Sequence, residues 1–70
     1  MRLVVNGSPC EREASDVAAL FAIEAEEQAI PGPQGVAIAL NGRVVRRAEW
    51  AATPLSEGDR IEIVRAMQGG

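Results

Sequence analysis

The chain has 70 residues, of which 47% are hydrophobic, so residues 1–70 are expected to form one compact domain with little room for an enclosed active site. Seven arginines and no lysine stand against ten acidic residues. The resulting net charge of −3, with arginines spread along the chain, argues against a nucleic-acid-binding face and favours a protein partner with a basic docking patch.

The first predicted element is a β-hairpin. The apolar residues 3–5 precede Asn6 and Gly7, and an Asn-Gly pair after such a run favours a tight turn because both residues tolerate positive φ. The return strand, residues 8–13, contains Pro9, which cannot donate a backbone hydrogen bond. This strand is therefore predicted to lie at an edge of the sheet.

An α-helix is predicted to follow and to end at about Gln28. Ser15 is expected to be its N-cap, with Asp16 adding negative charge near the positive end of the helix dipole. Residues at helical spacing define the apolar face, which comprises Val17, Leu20 and Phe21, with Ile23 at its margin. Polar residues are expected to form the solvated side, which comprises Glu24, Glu26, Glu27 and Gln28.

The second half of the chain is predicted to contain three strands. Prolines and glycines in residues 30–35 end the helix, and residues 36–40 then form a strand with Ala37 and Ala39 on one face. A second Asn-Gly pair leads into a short strand at residues 43–46 and a helical turn at residues 47–50. The last strand, residues 60–65, is expected to point two residues inward, Ile61 and Ile63, and three outward, Arg60, Glu62 and Val64.

The predicted order, β-β-α-β-β-β, resembles that of the ubiquitin-like β-grasp. This α+β fold wraps one mixed sheet of about five strands around one helix and pairs the first and last strands side by side at the centre of the sheet. Parallel neighbours need a crossover connection, which the helix supplies. The end of the chain, from about residue 66, is then expected to project as a free tail that reaches on the order of 20 Å.

The chain ends in Gly69 and Gly70. Glycine anchors a fold poorly because ordering costs it more backbone entropy than any other residue. A tail without Cβ atoms can enter a narrow enzyme tunnel and leaves the Gly70 carbonyl carbon open to attack. The alternative is a frayed terminus without a function.

Cys10 is the only cysteine, and the chain has no histidine. This composition excludes a disulfide framework, a structural zinc site and a Ser-His or Cys-His catalytic pair within one chain. Cys10 is expected to be inert, either as packing or as an exposed bystander. Trp50 is expected to be half-buried under the loop that follows it rather than a partner contact. The first residues lack the apolar stretch of a signal peptide, so a cytoplasmic location is expected.

Residues 36–70 resemble the thiamine sulfur carrier family, the small β-grasp proteins called ThiS. The resemblance rests on the Asn-Gly hairpin at residues 41–45, on Arg47 with Glu49 and Trp50, on Leu55, on the turn at residues 57–59, on the apolar-acidic run at residues 61–64 and on the final Gly-Gly. Residues 1–22 match by pattern more than by identity. Residues 23–35 depart from the family in being longer and more acidic than expected.

The resemblance implies a protein co-substrate rather than an enzyme. An ATP-dependent adenylating enzyme of the ubiquitin-activator type (ThiF-like) would activate the Gly70 carboxylate. Sulfur derived from a cysteine desulfurase would then form a Gly70 thiocarboxylate, from which thiazole synthase (ThiG-like) would take sulfur into the thiazole ring of thiamine. The chain itself would bind no cofactor, metal, nucleic acid or membrane, and would be monomeric when free.

A docking surface for these enzymes is expected near the last strand. Val64 with Ala37 and Ala39 would form an apolar docking patch, although a single exposed valine needs no functional explanation. Arg65 would steer the tail or only cover the sheet. Acidic residues are expected near the base of the tail, where they would face a basic enzyme groove or form a solvated rim; they are Glu57, Asp59 and Glu62.

Three other functions remain open at this stage. The same tail and fold serve related sulfur carriers for molybdopterin or cysteine synthesis, although the short chain and residues 47–50 favour the thiamine branch. A ubiquitin-like covalent modifier would instead join Gly70 to lysines of target proteins. A plain interaction domain would carry the tail without using it.

Overall fold

The computed structural model of the chain describes residues 1–66. Its elements follow the predicted order, with a 3₁₀ helix between the last two strands. They are β1 (Arg2–Val5), β2 (Ser8–Glu11), α1 (Val17–Glu27), β3 (Val36–Leu40), β4 (Arg43–Val45), the 3₁₀ helix (Arg47–Ala52) and β5 (Arg60–Arg65). Gly69 and Gly70, on which the predicted chemistry depends, lie outside the described residues.

The five strands form one mixed sheet in the order β2-β1-β5-β3-β4. β1 and β5 run parallel, with Val5 beside Ile61, and the other neighbouring strands are antiparallel. The predicted central pairing of the first and last strands is confirmed. β2 lies at an edge, as Pro9 predicted, but it ends at Glu11 rather than at residue 13.

The core lies between α1 and one face of the sheet. Ile61 and Ile63 point into it, as predicted, and are 1% and 7% exposed. Cys10 is a free thiol that packs against the edge of this core, in agreement with a packing role. The largest fully buried side chains are aliphatic: Leu3, Val17, Leu20, Ile38 and Ile61.

The N-cap of α1 is Asp16 rather than the predicted Ser15. Asp16 has extended φ and ψ of −146° and 173°, and its carboxylate accepts a hydrogen bond from the Ala19 backbone N–H at 2.8 Å. The carbonyl oxygen of Ser15 accepts from the Leu55 N–H at 2.9 Å. The local sequence does not reveal this bond to a distant segment. Because the bond holds Ser15 in the extended chain before Asp16, the helix begins one residue later than predicted.

Glu24 is buried, with 3% of its surface exposed, although it was predicted to lie on the solvated side of α1. Its carboxylate accepts hydrogen bonds from Arg12 Nε at 2.6 Å and from Gln28 Nε2 at 3.0 Å. The hydrogen bond to Glu24 raises the pKa of Arg12, so the guanidinium stays charged. The prediction is wrong because Arg12 reaches the helix from the segment after β2 and makes a buried carboxylate tolerable at this position.

Replacing Arg12 with methionine is expected to lower the free energy of unfolding by about 3 kcal/mol, because the Glu24 carboxylate would stay buried without its cationic partner. Since folding raises the pKa of Arg12, the stability that its charge contributes is present at neutral pH and is lost as the pH rises through the raised value. Urea denaturation measures the change. Arg47→Met, which removes an exposed arginine, is the control and is expected to cost less than about 0.5 kcal/mol. Equal losses in the two variants would show that the ion pair does not stabilise the fold.

Helix α1 ends as predicted near Gln28, but through Ala29 and Ile30 rather than through a proline. Ala29 has a left-handed φ of 56°, and the Ile30 N–H donates to the Ala25 carbonyl oxygen at 2.8 Å. The Ile30 side chain is buried. This closure is of the Schellman type, in which a hydrophobic residue just past the helix packs back onto the protein.

Trp50 is buried, with 5% of its surface exposed, rather than half-buried as predicted. Its indole Nε1 donates to the Val45 carbonyl oxygen at 2.9 Å, and its ring centroid lies 5.1 Å from that of Phe21. The side chain therefore joins the 3₁₀ helix to both β4 and α1. This bridging position, rather than the loop alone, accounts for its depth.

Candidate functional site

The outer face of β3, β4 and β5 carries an exposed apolar strip. In the sheet register Ala37 lies opposite Val64, and Ala39 lies between Val44 on one side and Glu62 on the other. Val64 is 59% exposed and Val44 is 76% exposed, and within residues 1–66 these are the large hydrophobic side chains that face solvent. This apolar strip consists of Ala37, Ala39, Val44 and Val64.

Four of the residues predicted to contact the partner enzymes lie together on this face: Ala37, Ala39, Glu62 and Val64. Arg65 is paired with Val36 and, by strand alternation, belongs to the opposite face, although its side chain is exposed at the end of β5. Val44 was not predicted from the sequence. Alternation along β4 could have found it, because Val45 packs against the core and its neighbour must then point outward.

β5 brings the chain to the end of this strip. Beyond Arg65, the Ala66 backbone N–H donates to the Gly35 carbonyl oxygen at 2.5 Å, which extends the contact between β3 and β5 by one residue. Gly35 has a positive φ of 74°, and a Cβ at this position would lie 3.6 Å from the Ala66 Cβ. The described part of the chain therefore ends two residues after Val64, beside the strip.

Glu57 and Asp59 lie at the other end of β5, which corrects the prediction that they surround the base of the tail. β5 has six residues, so its length separates these carboxylates from Ala66 by roughly 20 Å. At that end the Asp59 carboxylate accepts a hydrogen bond from Asn41 Nδ2 at 3.0 Å. The prediction was wrong because closeness in sequence is not closeness in space along an extended strand.

Both Asn-Gly turns are tied to β5 by their asparagine side chains. Asn6 Oδ1 accepts a hydrogen bond from the Ile63 N–H at 2.8 Å, and Asn41 Oδ1 accepts one from the Arg60 N–H at 2.9 Å. Asn6 and Asn41 have φ of 51° and 52°, as the predicted tight turns require. β5 is therefore fixed by side chains of both neighbouring hairpins as well as by its two neighbouring strands.

A hollow of about 300 Å³ beside the strip is lined by Asn41, Gly42, Arg60 and Glu62. Over residues 1–66 there is no group of three or more histidine, cysteine or acidic residues arranged to hold a metal ion. No helix in this part of the chain is long and apolar enough to cross a membrane.

The strand order, the parallel pair at the centre of the sheet and the single crossover helix define a ubiquitin-like β-grasp protein. The predicted fold class is thereby confirmed. The chain belongs to the ThiS family, whose model matches residues 3–70. The predicted resemblance therefore extends over nearly the whole chain.

Two solved structures are similar to this chain along its full length. The crystal structure of the thiamine biosynthesis protein (ThiS) from Geobacter metallireducens is 30% identical, with a TM-score of 0.77 and 100% of each chain covered. The NMR solution structure of a thiamine biosynthesis protein from the same organism is 32% identical, with a TM-score of 0.71, and the match covers 100% of this chain and 88% of that one. No curated protein matches the chain.

Proposed function

We propose that this chain is a sulfur carrier protein of thiamine biosynthesis, a co-substrate of other enzymes and not itself an enzyme. Residues 1–70 form its single carrier domain, which acts in the cytoplasm and is monomeric when free. Membership of the ThiS family and likeness to the thiamine biosynthesis proteins of Geobacter metallireducens support this function. The observation that carries it is the Gly69-Gly70 end that follows the central strand β5.

The reactive group of this carrier is the Gly70 carboxylate. A free α-carboxyl group is ionised at neutral pH, because its ordinary pKa is about 3.5, and it can attack the α-phosphate of ATP. The product is an acyl-adenylate, and pyrophosphate leaves. The outer sulfur of a cysteine desulfurase persulfide then attacks the acyl carbon and displaces AMP, which leaves an acyl disulfide. A thiol reduces its S–S bond and releases the Gly70 thiocarboxylate, which supplies sulfur to thiazole synthase (ThiG-like).

The activating enzyme (ThiF-like) holds ATP and provides the catalytic groups for this reaction. The carrier binds no cofactor or metal of its own and contributes only a carboxylate and a way to deliver it. Gly69 and Gly70 suit this delivery, because a backbone without side chains fits a site that would exclude other residues.

The apolar strip is the surface on which the partner enzymes dock. Val64 and Ala39 provide apolar contacts close to the end of β5, and Val44 adds the most exposed hydrophobic side chain of this face. Glu62 lies at the border of the strip, and Arg65 lies where the tail begins and steers it. An enzyme bound to the strip would have the tail within reach of its active site.

ATP-pyrophosphate exchange by the cognate activating enzyme tests the first chemical step. The full chain is expected to stimulate exchange. A chain with one alanine appended after Gly70 is expected to give no stimulation and to keep the same melting temperature, because its carboxylate is displaced by one residue. Exchange that is equally fast with the extended chain would contradict the proposed role of Gly70.

A further inference from the structure

The charges of this chain are divided unevenly along its length. Residues 1–35 contain two arginines and six acidic residues, whereas residues 36–70 contain five arginines and four acidic residues. α1 belongs to the first part, and β3, β4 and β5 belong to the second. The net negative charge of the chain therefore comes from the part that contains the helix, and the strands that carry the apolar strip belong to the other part.

Arginines border the apolar strip on two sides. Arg46 follows β4 with extended φ and ψ of −65° and 142°, so it takes the next outward position after Val44. Arg60 takes the outward position before Glu62 on β5 and lines the hollow beside the strip. Both arginines are exposed.

Within the part of the chain that the structure describes, neither arginine pairs its charge with another side chain. The ion pairs within residues 1–66 involve the Met1 amino group with Glu11 and Arg12 with Glu24, and no side-chain hydrogen bond of Arg46 or Arg60 is formed in this range. The nearby carboxylate of Asp59 is held by the Asn41 amide. As far as the described residues 1–66 are concerned, the two guanidinium groups are therefore available to pair with anions on another molecule.

We propose that the apolar strip is bound by a surface of the activating enzyme that is apolar at its centre and acidic at its rim, with Arg46 and Arg60 as the cationic contacts. This inference rests on the proposed function. The net charge of the chain predicted a partner with a basic docking patch, whereas the proposed partner surface has an acidic rim. The two differ because net charge sums over all faces of the chain, and a partner contacts only one of them. A guanidinium group suits this role because it binds a carboxylate through two parallel hydrogen bonds.

Adenylation kinetics with the cognate activating enzyme and full-length carrier test this proposal. The double variant Arg46→Glu/Arg60→Glu is expected to raise the KM for the carrier about tenfold at low salt and to leave kcat unchanged at saturation, because rim charges act mainly on association. Added salt is expected to raise the KM of the natural chain and to have less effect on the variant.

The matched control is Glu26→Arg/Glu27→Arg, which reverses two exposed charges on α1, on the other side of the sheet. Its KM is expected to stay within about twofold of the natural value, since these residues do not border the strip. Melting curves verify that both variants fold. The neutral variant Arg46→Gln/Arg60→Gln removes the two charges without reversing them and is expected to raise KM by about threefold.

An unchanged KM in Arg46→Glu/Arg60→Glu would overturn the proposal. A rise in KM for Arg46→Glu/Arg60→Glu without any rise for Arg46→Gln/Arg60→Gln would also overturn it, because recognition would then follow net charge. A natural chain that is not adenylated at all would overturn the proposed function instead. The two failures are therefore distinguishable in one set of assays.

Discussion

Deletion of Gly70 is expected to reduce thiocarboxylate formation by at least about 100-fold, because the new terminal carboxylate lies one residue, about 3.5 Å, short of the reacting phosphate. Chemical groups must meet within a fraction of this distance for the transfer to proceed. Gly70→Ala keeps the length and adds one methyl group. It is expected to lose activity as well, because the narrow site proposed for the tail leaves no room for a Cβ.

The same deletion is expected to leave the melting temperature unchanged. The described hydrophobic core is built from residues between Met1 and Ile63, and Gly70 has no side chain to contribute to it. Thermal melting followed by circular dichroism, together with growth of a thiamine-requiring strain, measures the two effects separately. Full rescue of growth by the shortened chain would contradict the role assigned to Gly70.

Ile61→Asp is expected to unfold the domain. Ile61 is 1% exposed and lies in the central strand, paired with Val5 on one side and Leu40 on the other. An unpaired carboxylate at this position costs several kcal/mol. The whole chain is expected to have a stability of only about 4–10 kcal/mol, at 0.05–0.15 kcal/mol per residue, so a loss of this size removes most of it.

Val64→Asp is the matched control for this variant, because it places the same side chain on the same strand at an exposed position. It is expected to cost less than about 1 kcal/mol. Trp50 fluorescence and circular dichroism would report both variants. A normal melting curve for Ile61→Asp would mean that the inward and outward faces of β5 are assigned the wrong way round.

The elements of this fold could be predicted because their signals are local. Asn6 and Asn41, each followed by glycine, mark the two tight turns, and the prolines after Ile30 mark a break that helix α1 does not cross. Strand alternation gave the buried positions of β5. The central place of β5 followed from the order of the elements, because parallel pairing with β1 requires a long crossover.

The features that were missed depend on contacts between distant segments. The burial of Glu24 requires Arg12, which lies 12 residues away and belongs to no regular element. Glu57 and Asp59 were misplaced for a different reason, because the predicted strand at residues 60–65 already put its full length between them and the tail. Periodicity assigns a face to each residue, but it does not show which charged residue another segment will cover.

The candidate site also has a part that could be predicted from local sequence and a part that could not. Gly69 and Gly70 could be proposed from the sequence alone because the proposed chemistry needs only the terminal residues themselves, and their role stays a prediction. The apolar strip depended on the register between β3, β4 and β5, and therefore Val44 was missed while Val64 was found. Arg46 and Arg60 could be proposed as partner contacts only after the register placed them beside the strip.

Intact mass spectrometry tests the carrier role most directly. The full chain would be incubated with its cognate activating enzyme, ATP, cysteine and a cysteine desulfurase, and omission of ATP would serve as the control. The expected result is a mass increase equal to the replacement of one oxygen by sulfur, located at Gly70 by fragmentation and absent without ATP. An unchanged mass, or conjugates of the chain with lysines of other proteins, would contradict the carrier role.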